Sequence, residues 1–279
     1  MANELNNKLF QDEAKARKWL ESHLWPEGPI CPKCGTVANA TPIKTREGWY
    51  QCNAKECRGQ FTVTVGTLFE RSKIPLNKWL MVAFLMCASK KGMSTHQIHR
   101  MIGVSYKSTW FMTHRLREAM REGKFPGPLG GEGKIVEADE TWVGGKSKNR
   151  ARRLAVPPKE PVVSLVERGG RIRSQHVPTV NAKTLRPILV TQIDRKSHLM
   201  TDESRVYPKI GREFAQHSAV NHSALEYVRG NAHTNTVENY YSILKRGIIG
   251  TYHHVSPQHL KGIVGKRLTY KRSGQTANA

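Results

Sequence analysis

Three acidic residues in the second half of the chain have the spacing of a metal-dependent catalytic site. Asp139 ends a short apolar run, Asp202 ends a second one, and Glu238 follows after thirty-five intervening residues. If the fold brings these carboxylates together, they repel one another and their pKa values rise. Two magnesium ions about 4 Å apart would relieve the repulsion, activate a water or hydroxyl and stabilise the leaving oxygen of a phosphodiester. Magnesium prefers hard oxygen ligands and keeps some waters, so few carboxylates suffice.

The third acid lies in a segment whose apolar residues repeat with the period of a helix. Positions i, i+3, i+4, i+7 and i+11 form one apolar stripe, which consists of Val237, Tyr240, Tyr241, Leu244 and Ile248. Glu238 lies beside this stripe, and Lys245 lies two turns further along the same face. In the structural alternative, Asn235 and Glu238 are the N-cap and N3 residues of a capping box. This segment alone leaves both interpretations open.

Hydrophobic patterning predicts the elements that would have to position these acids. Strands are predicted at 134–139, 161–167, 171–180, 197–202 and 218–221, with helices at 181–193, 206–215 and through the segment just described. This is the order of the ribonuclease-H-like fold, an α/β fold with a mixed sheet. Its first and fourth strands are neighbours, so Asp139 and Asp202 would meet and Glu238 would lie beside them. Glu137 and Glu140 alternate with Asp139, and we expect both on the other face of the strand.

Four of the five cysteines form two close pairs with the spacing of a zinc ribbon. The pairs are separated by seventeen residues, and their members are Cys31, Cys34, Cys52 and Cys57. Tetrahedral zinc needs four such ligands, and because all four positions are filled the zinc would be structural. A redox pair is the alternative, but a second pair at this distance argues against it. Cys87 has no partner by spacing, and we expect it in a helix core.

The composition favours a polyanionic partner. The 279 residues carry a formal net charge of +23, and nucleic acid is the default partner of such an excess. A basic structural protein is the alternative, but 38% hydrophobic residues support true cores. The longest apolar run, 79–88, is too short to span a bilayer, and the N-terminus does not resemble a signal peptide. Paired cysteines without a secretion signal indicate a reducing cytoplasm.

A helix-turn-helix is predicted upstream of the acids. A helix at Thr95–Ile102 is followed by Gly103, and Ser105 caps a second helix that runs to about Met120. Two helices joined by a short glycine-containing turn are typical of this motif, although an ordinary helical hairpin has the same pattern. The second helix of such motifs enters the major groove, where it would present Lys107, Ser108, Thr109 and His114 to DNA.

A basic segment follows the first strand of the predicted sheet. Residues 141–159 contain six Lys or Arg and no acid, which suits a loop that contacts phosphates. The candidate DNA contacts in this segment are Lys146, Lys148, Arg150, Arg152 and Arg153.

The chain resembles the DDE insertion-sequence transposases, and most closely the ISXO2-like group of the IS1595 family. The resemblance covers nearly the whole chain. The matching stretches are Cys31-Pro-Lys-Cys34-Gly, Phe61-Thr-Val-Thr-Val-Gly-Thr-Leu-Phe, Val136-Glu-Ala-Asp139-Glu-Thr-Trp-Val-Gly-Gly-Lys, Thr201-Asp202-Glu, Val220-Asn-His-Ser and His233-Thr-Asn-Thr-Val-Glu238 through Lys245-Arg-Gly-Ile.

The resemblance implies a ribonuclease-H-like nuclease and strand-transferase that uses magnesium or manganese. The first two acids of the family match Asp139 and Asp202. The third position is Glu in some members and Asn in others, with a Lys further on. Glu238 and Lys245 fit the Glu form, and Asn235 and Asn239 are candidates for the Asn form.

The predicted organisation is an N-terminal helix and zinc ribbon at 1–70, a helix-turn-helix at 71–125, a catalytic domain at 131–260 and a basic tail at 261–279. The leading hypothesis is a transposase in the bacterial cytoplasm, at the nucleoid, that acts as a homo-oligomer on the ends of its element and on target DNA. The alternatives are a domesticated or inactive transposase that regulates by binding DNA, and a structure-specific nuclease of the same fold. The segment after Leu260 departs from the family pattern, and two glycines weaken a helix there.

Overall fold

The computed structural model describes residues 6–89, 91–122, 127–144, 159–221 and 228–264. The chain divides into two compact units, Met1–Leu116 and Arg117–Ala279. The candidate DNA contacts of the basic segment lie outside the described residues, as does the predicted tail from residue 265 onward.

The first unit begins with two short helices and a small sheet. The helices are α1 (Lys8–Gln11) and α2 (Glu13–Leu24), and the strands are β1 (Ala40–Pro42), β2 (Tyr50–Cys52) and β3 (Gln60–Phe61). The strands form an antiparallel sheet in the order β1-β2-β3. The residues Gln60–Val65 alternate like a strand in the sequence, but β3 ends at Phe61, because turn hydrogen bonds such as Val65 N to Thr62 O bend the chain there.

Three longer helices complete this unit. They are α3 (Leu76–Ala88), α4 (Thr95–Ile102) and α5 (Tyr106–Glu122), which continues past the end of the unit. Gly103 ends α4 in the left-handed conformation at φ 68°, and Ser105 Oγ accepts a hydrogen bond from Ser108 N, so the predicted helix limits are confirmed. The core expectation for Cys87 is wrong: its side chain is exposed, because α3 buries the side that carries Trp79 and Val82.

The second unit is built on a five-stranded mixed sheet. Its strands are β4 (Ile135–Val143), β5 (Glu160–Glu167), β6 (Ile172–His176), β7 (His198–Asp202) and β8 (Gln216–Val220). Their order is β6-β5-β4-β7-β8. β5 is antiparallel to β4 and β6, whereas β7 is parallel to β4 and β8. The first and fourth strands of this sheet are therefore neighbours, as the sequence predicted.

The ladder between β4 and β7 is short, and the two strands are not paired along their remaining length. The pairing of β4 with β7 ends at Glu137 and Met200, only three residue pairs long. Past that point β4 stays paired with β5 as far as Val143, and β7 stays paired with β8 as far as Asp202. The carboxyl ends of the two central strands thus follow different neighbours.

Helices cover both faces of the sheet. They are α6 (Ala182–Gln192), α7 (Tyr207–Gly211), α8 (Asn235–Gly247), a π-helical turn (Ile248–Tyr252) and α9 (Pro257–Val264). Leu185 and Tyr207 of α6 and α7 pack with Val136 and Ala138 on one face. On the other face α8 and α9 pack with residues such as Val143, in a second core.

Two helix predictions need correction in extent. The helix predicted at 206–215 spans only Tyr207–Gly211, since Phe214 N and Glu213 N bond to the carbonyls three residues back, which is the pattern of a turn. At the C-terminal end, α9 includes Gly262 and continues to Val264, which is buried. Burial against the sheet compensates for the low helix propensity of glycine at this position.

Candidate functional site

The two aspartates lie on neighbouring parallel strands, just past the end of the ladder that joins them. Asp139 is in the middle of β4 and Asp202 is the last residue of β7. The register pairs Glu137 with Met200, and two further residues on each strand bring Asp139 level with Asp202. Residues at matched positions of neighbouring strands project from the same face of the sheet. Strand order and register therefore bring these two predicted site residues together.

The electrostatic environment of Asp139 reflects this convergence. Burial, together with the nearby carboxylates of Glu140, Asp202 and Glu238, raises the pKa of Asp139 to about 7, against one opposing hydrogen bond from Glu140 N. That hydrogen bond, from Glu140 N to Asp139 Oδ1, is 2.7 Å long. Burial and neighbouring carboxylates disfavour the ionised form of such a carboxyl group, and a bound cation would stabilise that form.

Glu238 approaches the aspartates from the first turn of α8. Its side chain is exposed, and its Oε1 accepts a 2.9 Å hydrogen bond from Thr234 Oγ1. Thr234 is the N-cap residue, so Asn235 is the first helical residue and the predicted capping box of Asn235 with Glu238 is wrong. The helix stripe is confirmed, because all five of its apolar residues are buried.

Lys245 lies on the exposed side of α8. Seven residues separate it from Glu238, which corresponds to about 10 Å along the helix axis. Asn235 and Asn239 are also exposed on this helix. Lys245 thus shares the exposed face of Glu238, about two helical turns further along α8.

Glu137 is a buried partner of α8, which the sequence interpretation missed. It was expected on the face of β4 opposite to Asp139, and this was wrong, because residues two apart on a strand point the same way. Its side chain is fully buried, and its Oε2 accepts hydrogen bonds from Thr236 N (2.9 Å) and Val237 N (3.0 Å). Strand alternation from Asp139 is the signal that could have found it.

Arg168 connects this carboxylate to the segment before α8. It follows β5 directly, and its Nε donates to Glu137 Oε1 at 2.6 Å. Its other two nitrogens donate to the carbonyl oxygens of Asn231 (2.9 Å) and His233 (2.8 Å). One guanidinium group therefore fixes both the buried acid and the approach to the helix.

Glu140 is held on the opposite face of β4, as expected from its parity. Tyr207 donates a hydrogen bond from its hydroxyl to Glu140 Oε2. Burial raises the pKa of Glu140, the Tyr207 hydrogen bond opposes this, and the charge of Asp202 raises it further. Glu140 is therefore a fourth carboxylate in electrostatic contact with the site.

The three acids offer the oxygen ligands that magnesium and manganese prefer. Among the described residues, the four cysteines form the only group of metal-binding side chains whose ligand atoms all lie within 4.8 Å of one another. Carboxylates on opposite sides of two ions about 4 Å apart need not touch each other. The donor chemistry and the raised pKa of Asp139 fit divalent cations, and the acids form a wider group than the cysteines.

The cysteine cluster has the dimensions of a tetrahedral site. Cys31 Sγ lies 3.7 Å from Cys57 Sγ, and Cys34 Sγ lies 3.6 Å from Cys52 Sγ. A tetrahedron with Zn–S bonds of about 2.3 Å has edges of about 3.8 Å. Disulfide sulfurs would be about 2.05 Å apart, so the pairs are thiols placed as ligands. The ring of Trp25 packs edge-on beside this cluster, against Phe61.

The predicted DNA-contacting residues of α5 differ in exposure. Lys107 is exposed, whereas Ser108 and His114 are half-buried. The prediction for Thr109 is wrong: its side chain is fully buried and its hydroxyl donates to Ser105 O at 3.0 Å. The sequence interpretation missed a set of exposed aromatic side chains on the same helix, which consists of Tyr106, Trp110 and Phe111.

None of the helices in the described part of the chain is both long and apolar enough to span a lipid bilayer.

Two family models match the chain. The ISXO2-like transposase domain matches residues 128–266, which include the three acids, and the transposase zinc-ribbon domain matches residues 11–60, which include the four cysteines. A protein of Halobacterium salinarum, described as an uncharacterized protein in transposable element ISH50, is 29% identical over 289 aligned residues. The alignment covers 96% of this chain and 91% of that relative.

Proposed function

Since the chain belongs to the ISXO2-like transposase family, we propose that it binds the terminal inverted repeats of an insertion sequence, cleaves DNA at their ends and joins them to target DNA. The single observation that carries this proposal is the convergence of Asp139, Asp202 and Glu238. Burial is the main cause of the raised pKa of Asp139, and the charges of Asp202 and Glu238 raise it further. A protein that only binds DNA does not need carboxylates held so close that they repel one another.

The fold supports a ribonuclease-H-like catalytic domain. The sheet order β6-β5-β4-β7-β8, with an antiparallel β5 and parallel β4, β7 and β8, is the arrangement expected for that fold. The first turn of α8 is hydrogen-bonded to Glu137, the residue at which the paired part of β4 and β7 ends. In open α/β sheets the carboxyl ends of the strands are the usual place for a site.

Asp139, Asp202 and Glu238 would hold two magnesium or manganese ions, and the bound ions would supply activation of the attacking water or hydroxyl and stabilisation of the leaving oxygen. The protein positions these carboxylates on rigid elements and keeps Asp139 largely out of water. Glu238 is proposed as the third ligand, rather than Asn235 or Asn239, because its charge acts on Asp139. Lys245 would bind a DNA phosphate further along α8, as a charge-assisted hydrogen-bond donor.

The cysteine cluster would hold one structural zinc. Sulfur separations of 3.6 and 3.7 Å match a site whose four positions are all filled by protein. With no position left for water, this zinc would stabilise the ribbon and take no part in the chemistry.

DNA would be bound by α4 and α5 as a helix-turn-helix and by the basic segment that follows β4 in the sequence. Lys107 and His114 remain candidates on α5, with Ser108 limited by its half-buried position. The candidate phosphate contacts in the segment after β4 are Lys146, Lys148, Arg150, Arg152 and Arg153. The net charge of +23 supports binding to long double-stranded DNA. We further propose that the chain acts on DNA as a homo-oligomer at the nucleoid.

A cleavage and strand-transfer assay tests the proposal. The purified chain is incubated with magnesium and a duplex that carries the inverted repeats flanking its coding sequence. We expect nicks at the repeat ends and joined products with a second duplex, both abolished by Asp139→Asn. Specific binding of these ends without any cleavage would instead indicate the DNA-binding regulator, and cleavage that follows DNA structure and ignores the repeats would indicate a structure-specific nuclease.

A further inference from the structure

We propose that Glu137 is a positioning residue, whose buried carboxylate caps the N-terminus of α8 and thereby sets Glu238 against Asp139. The capping is read from contacts within the second unit. Its consequence for catalysis rests on the function proposed above.

The carboxylate of Glu137 has its hydrogen-bonding capacity filled by α8 and Arg168. Oε2 accepts from Thr236 N at 2.9 Å and Val237 N at 3.0 Å. Oε1 accepts from Thr236 Oγ1 at 2.8 Å and from Arg168 Nε at 2.6 Å. With the side chain at 0% exposure and four donors on two oxygens, Glu137 is unsuited to bind a metal ion itself. Its role is to hold other groups.

The helix needs an external cap because its own N-cap side chain is used elsewhere. The first N–H groups of a helix have no partner within the helix, and a side chain of the N-cap residue usually accepts from them. Thr234 makes no such capping bond, and its hydroxyl donates to Glu238 Oε1. Glu137 takes over the capping from one hundred residues away, and its negative charge also suits the positive end of the helix dipole.

Arg168 stabilises the buried carboxylate of Glu137 and connects it to the segment before α8. A buried carboxylate without a partner would strongly destabilise the fold, and the 2.6 Å ion pair with Arg168 offsets that cost. The same guanidinium donates to the carbonyl oxygens of Asn231 and His233 in the segment that leads to α8. The ion pair of Glu137 and Arg168 thus holds both the N-terminus of α8 and the segment that leads to it.

The position of Glu137 on β4 links the cap to the candidate catalytic acid. Glu137 and Asp139 are two residues apart on one strand, and therefore point to the same face. Val237 and Glu238 are consecutive in the first turn of α8. The bond from Val237 N to Glu137 thus holds Glu238 in register with Asp139 through rigid backbone on both sides.

The inference is tested by removing the cap without leaving a buried charge. The double variant Glu137→Met with Arg168→Met replaces the ion pair by apolar side chains of similar size, which often preserves stability. Glu137→Gln is the milder variant, because its amide oxygen can still accept from α8. The matched control is Glu167→Gln, which removes a buried acid of the same sheet that is paired with Lys134 and Arg171.

Hydrogen exchange followed by mass spectrometry reports the cap directly, in the full chain without DNA. In the double variant we expect peptides covering the first turn of α8 to exchange about fivefold to thirtyfold faster, the factor that corresponds to a lost N-cap. Glu137→Gln should give a smaller increase and Glu167→Gln none. Unchanged exchange in the folded double variant would overturn the inference.

Metal binding reports the consequence for the site. We expect the double variant to bind manganese about tenfold to a hundredfold more weakly, as judged by electron paramagnetic resonance, with unchanged affinity for DNA. The magnesium concentration for half-maximal nicking should rise in parallel. Faster exchange with unchanged manganese affinity would overturn the positioning role and leave a purely structural cap.

The two proposals fail in different ways. If exchange and manganese binding change as expected but the unaltered chain never cleaves its element ends, the proposed function is wrong and the cap stands. If the unaltered chain cleaves and the double variant behaves like it in both measurements, the function stands and this inference is wrong.

Discussion

Tyr241 Oη donates a 2.5 Å hydrogen bond to the backbone carbonyl oxygen of Asp139. Tyr241 is buried in the apolar stripe of α8, and its hydroxyl also lies 3.4 Å from Val162 O. The bond therefore ties the packed face of the helix to the strand position of the central acid. The residue that buries α8 also fixes the backbone from which Asp139 projects.

Replacement of this tyrosine should cost stability and disturb the acids. In Tyr241→Phe the carbonyl of Asp139 loses a buried donor, and we expect a loss of about 1–3 kcal/mol in the free energy of unfolding. Thermal unfolding measures this loss. Tyr240→Phe, next to it in the same buried stripe, is the control. A weaker manganese affinity in Tyr241→Phe and an unchanged one in Tyr240→Phe would support the link, and equal effects would contradict it.

Neutral substitutions of the three acids should separate DNA binding from cleavage. Asp139→Asn, Asp202→Asn and Glu238→Gln each remove several kcal/mol of charge stabilisation, so nicking with magnesium should fall roughly a thousandfold or more. Binding of the element ends should persist, because a neutralised acid does not weaken attraction to phosphate. Glu213→Gln, whose acid pairs with Arg186 and Arg195, should nick normally.

The result for Glu238 also decides the identity of the third ligand. Nicking at the normal rate by Glu238→Gln, combined with failure of Asn235 or Asn239 variants, would assign that ligand to an asparagine. Lys245→Ala should be milder, at about 1–3 kcal/mol, if it makes one charge-assisted bond to phosphate.

The pKa of Asp139 predicts a pH dependence of stability. Its folded pKa of about 7 lies above its ordinary value of 3.8, so between these values the folded state binds more protons than the unfolded state. Stability must then fall as pH rises from about 4 to about 7, by at most about 4 kcal/mol for this group. Denaturant titrations in magnesium-free buffer measure the fall. Asp139→Asn should flatten it, and magnesium should stabilise more at pH 8 than at pH 5.

Zinc should be bound in one equivalent per chain and lost with one ligand. Cys34→Ser removes a thiolate from a tetrahedral set, so metal analysis of the purified variant should find little zinc. Cys87→Ser, which changes an exposed cysteine outside the cluster, should keep the full equivalent. A full complement of zinc in Cys34→Ser would refute the assignment.

The DNA contact of α5 should depend on Lys107 and not on Thr109. Lys107→Ala should weaken binding to all sequences alike and lower the slope of affinity against salt by about one, as for the loss of one phosphate contact. Thr109→Val removes only a hydroxyl that bonds inside the helix, so affinity should hold. An unchanged salt slope in Lys107→Ala would exclude that contact.

Features that depend on residues close together in the sequence were predicted correctly. The apolar stripe of α8 could be predicted because buried residues repeat with the helical period. The end of α4 could be predicted because Gly103 readily adopts the left-handed conformation found there. The cysteine spacing likewise predicted the ligand cluster, whose four sulfurs the fold gathers. Strand order then followed from the sequence of elements, and it placed Asp139 next to Asp202.

What the sequence did not predict depends on contacts between distant residues. The capping box of Asn235 failed because Glu137, about one hundred residues earlier, supplies the acceptor. Thr109 and Cys87 were misjudged because which side of a helix is buried depends on the neighbouring helices, which periodicity leaves undetermined over short segments. The contacts of Arg168 with Glu137 and with the segment before α8 could not be predicted, because the sequence around a turn residue does not indicate its distant partners.

The early end of the β4–β7 ladder has a consequence for the space between the two aspartates. Beyond Glu137 and Met200, β4 pairs only with β5, and β7 pairs only with β8. Asp139 and Asp202 therefore face each other across a part of the sheet that no ladder hydrogen bond spans, while each strand is held in place from its outer side. Such a split would leave room between the two carboxylates for the divalent ions proposed above.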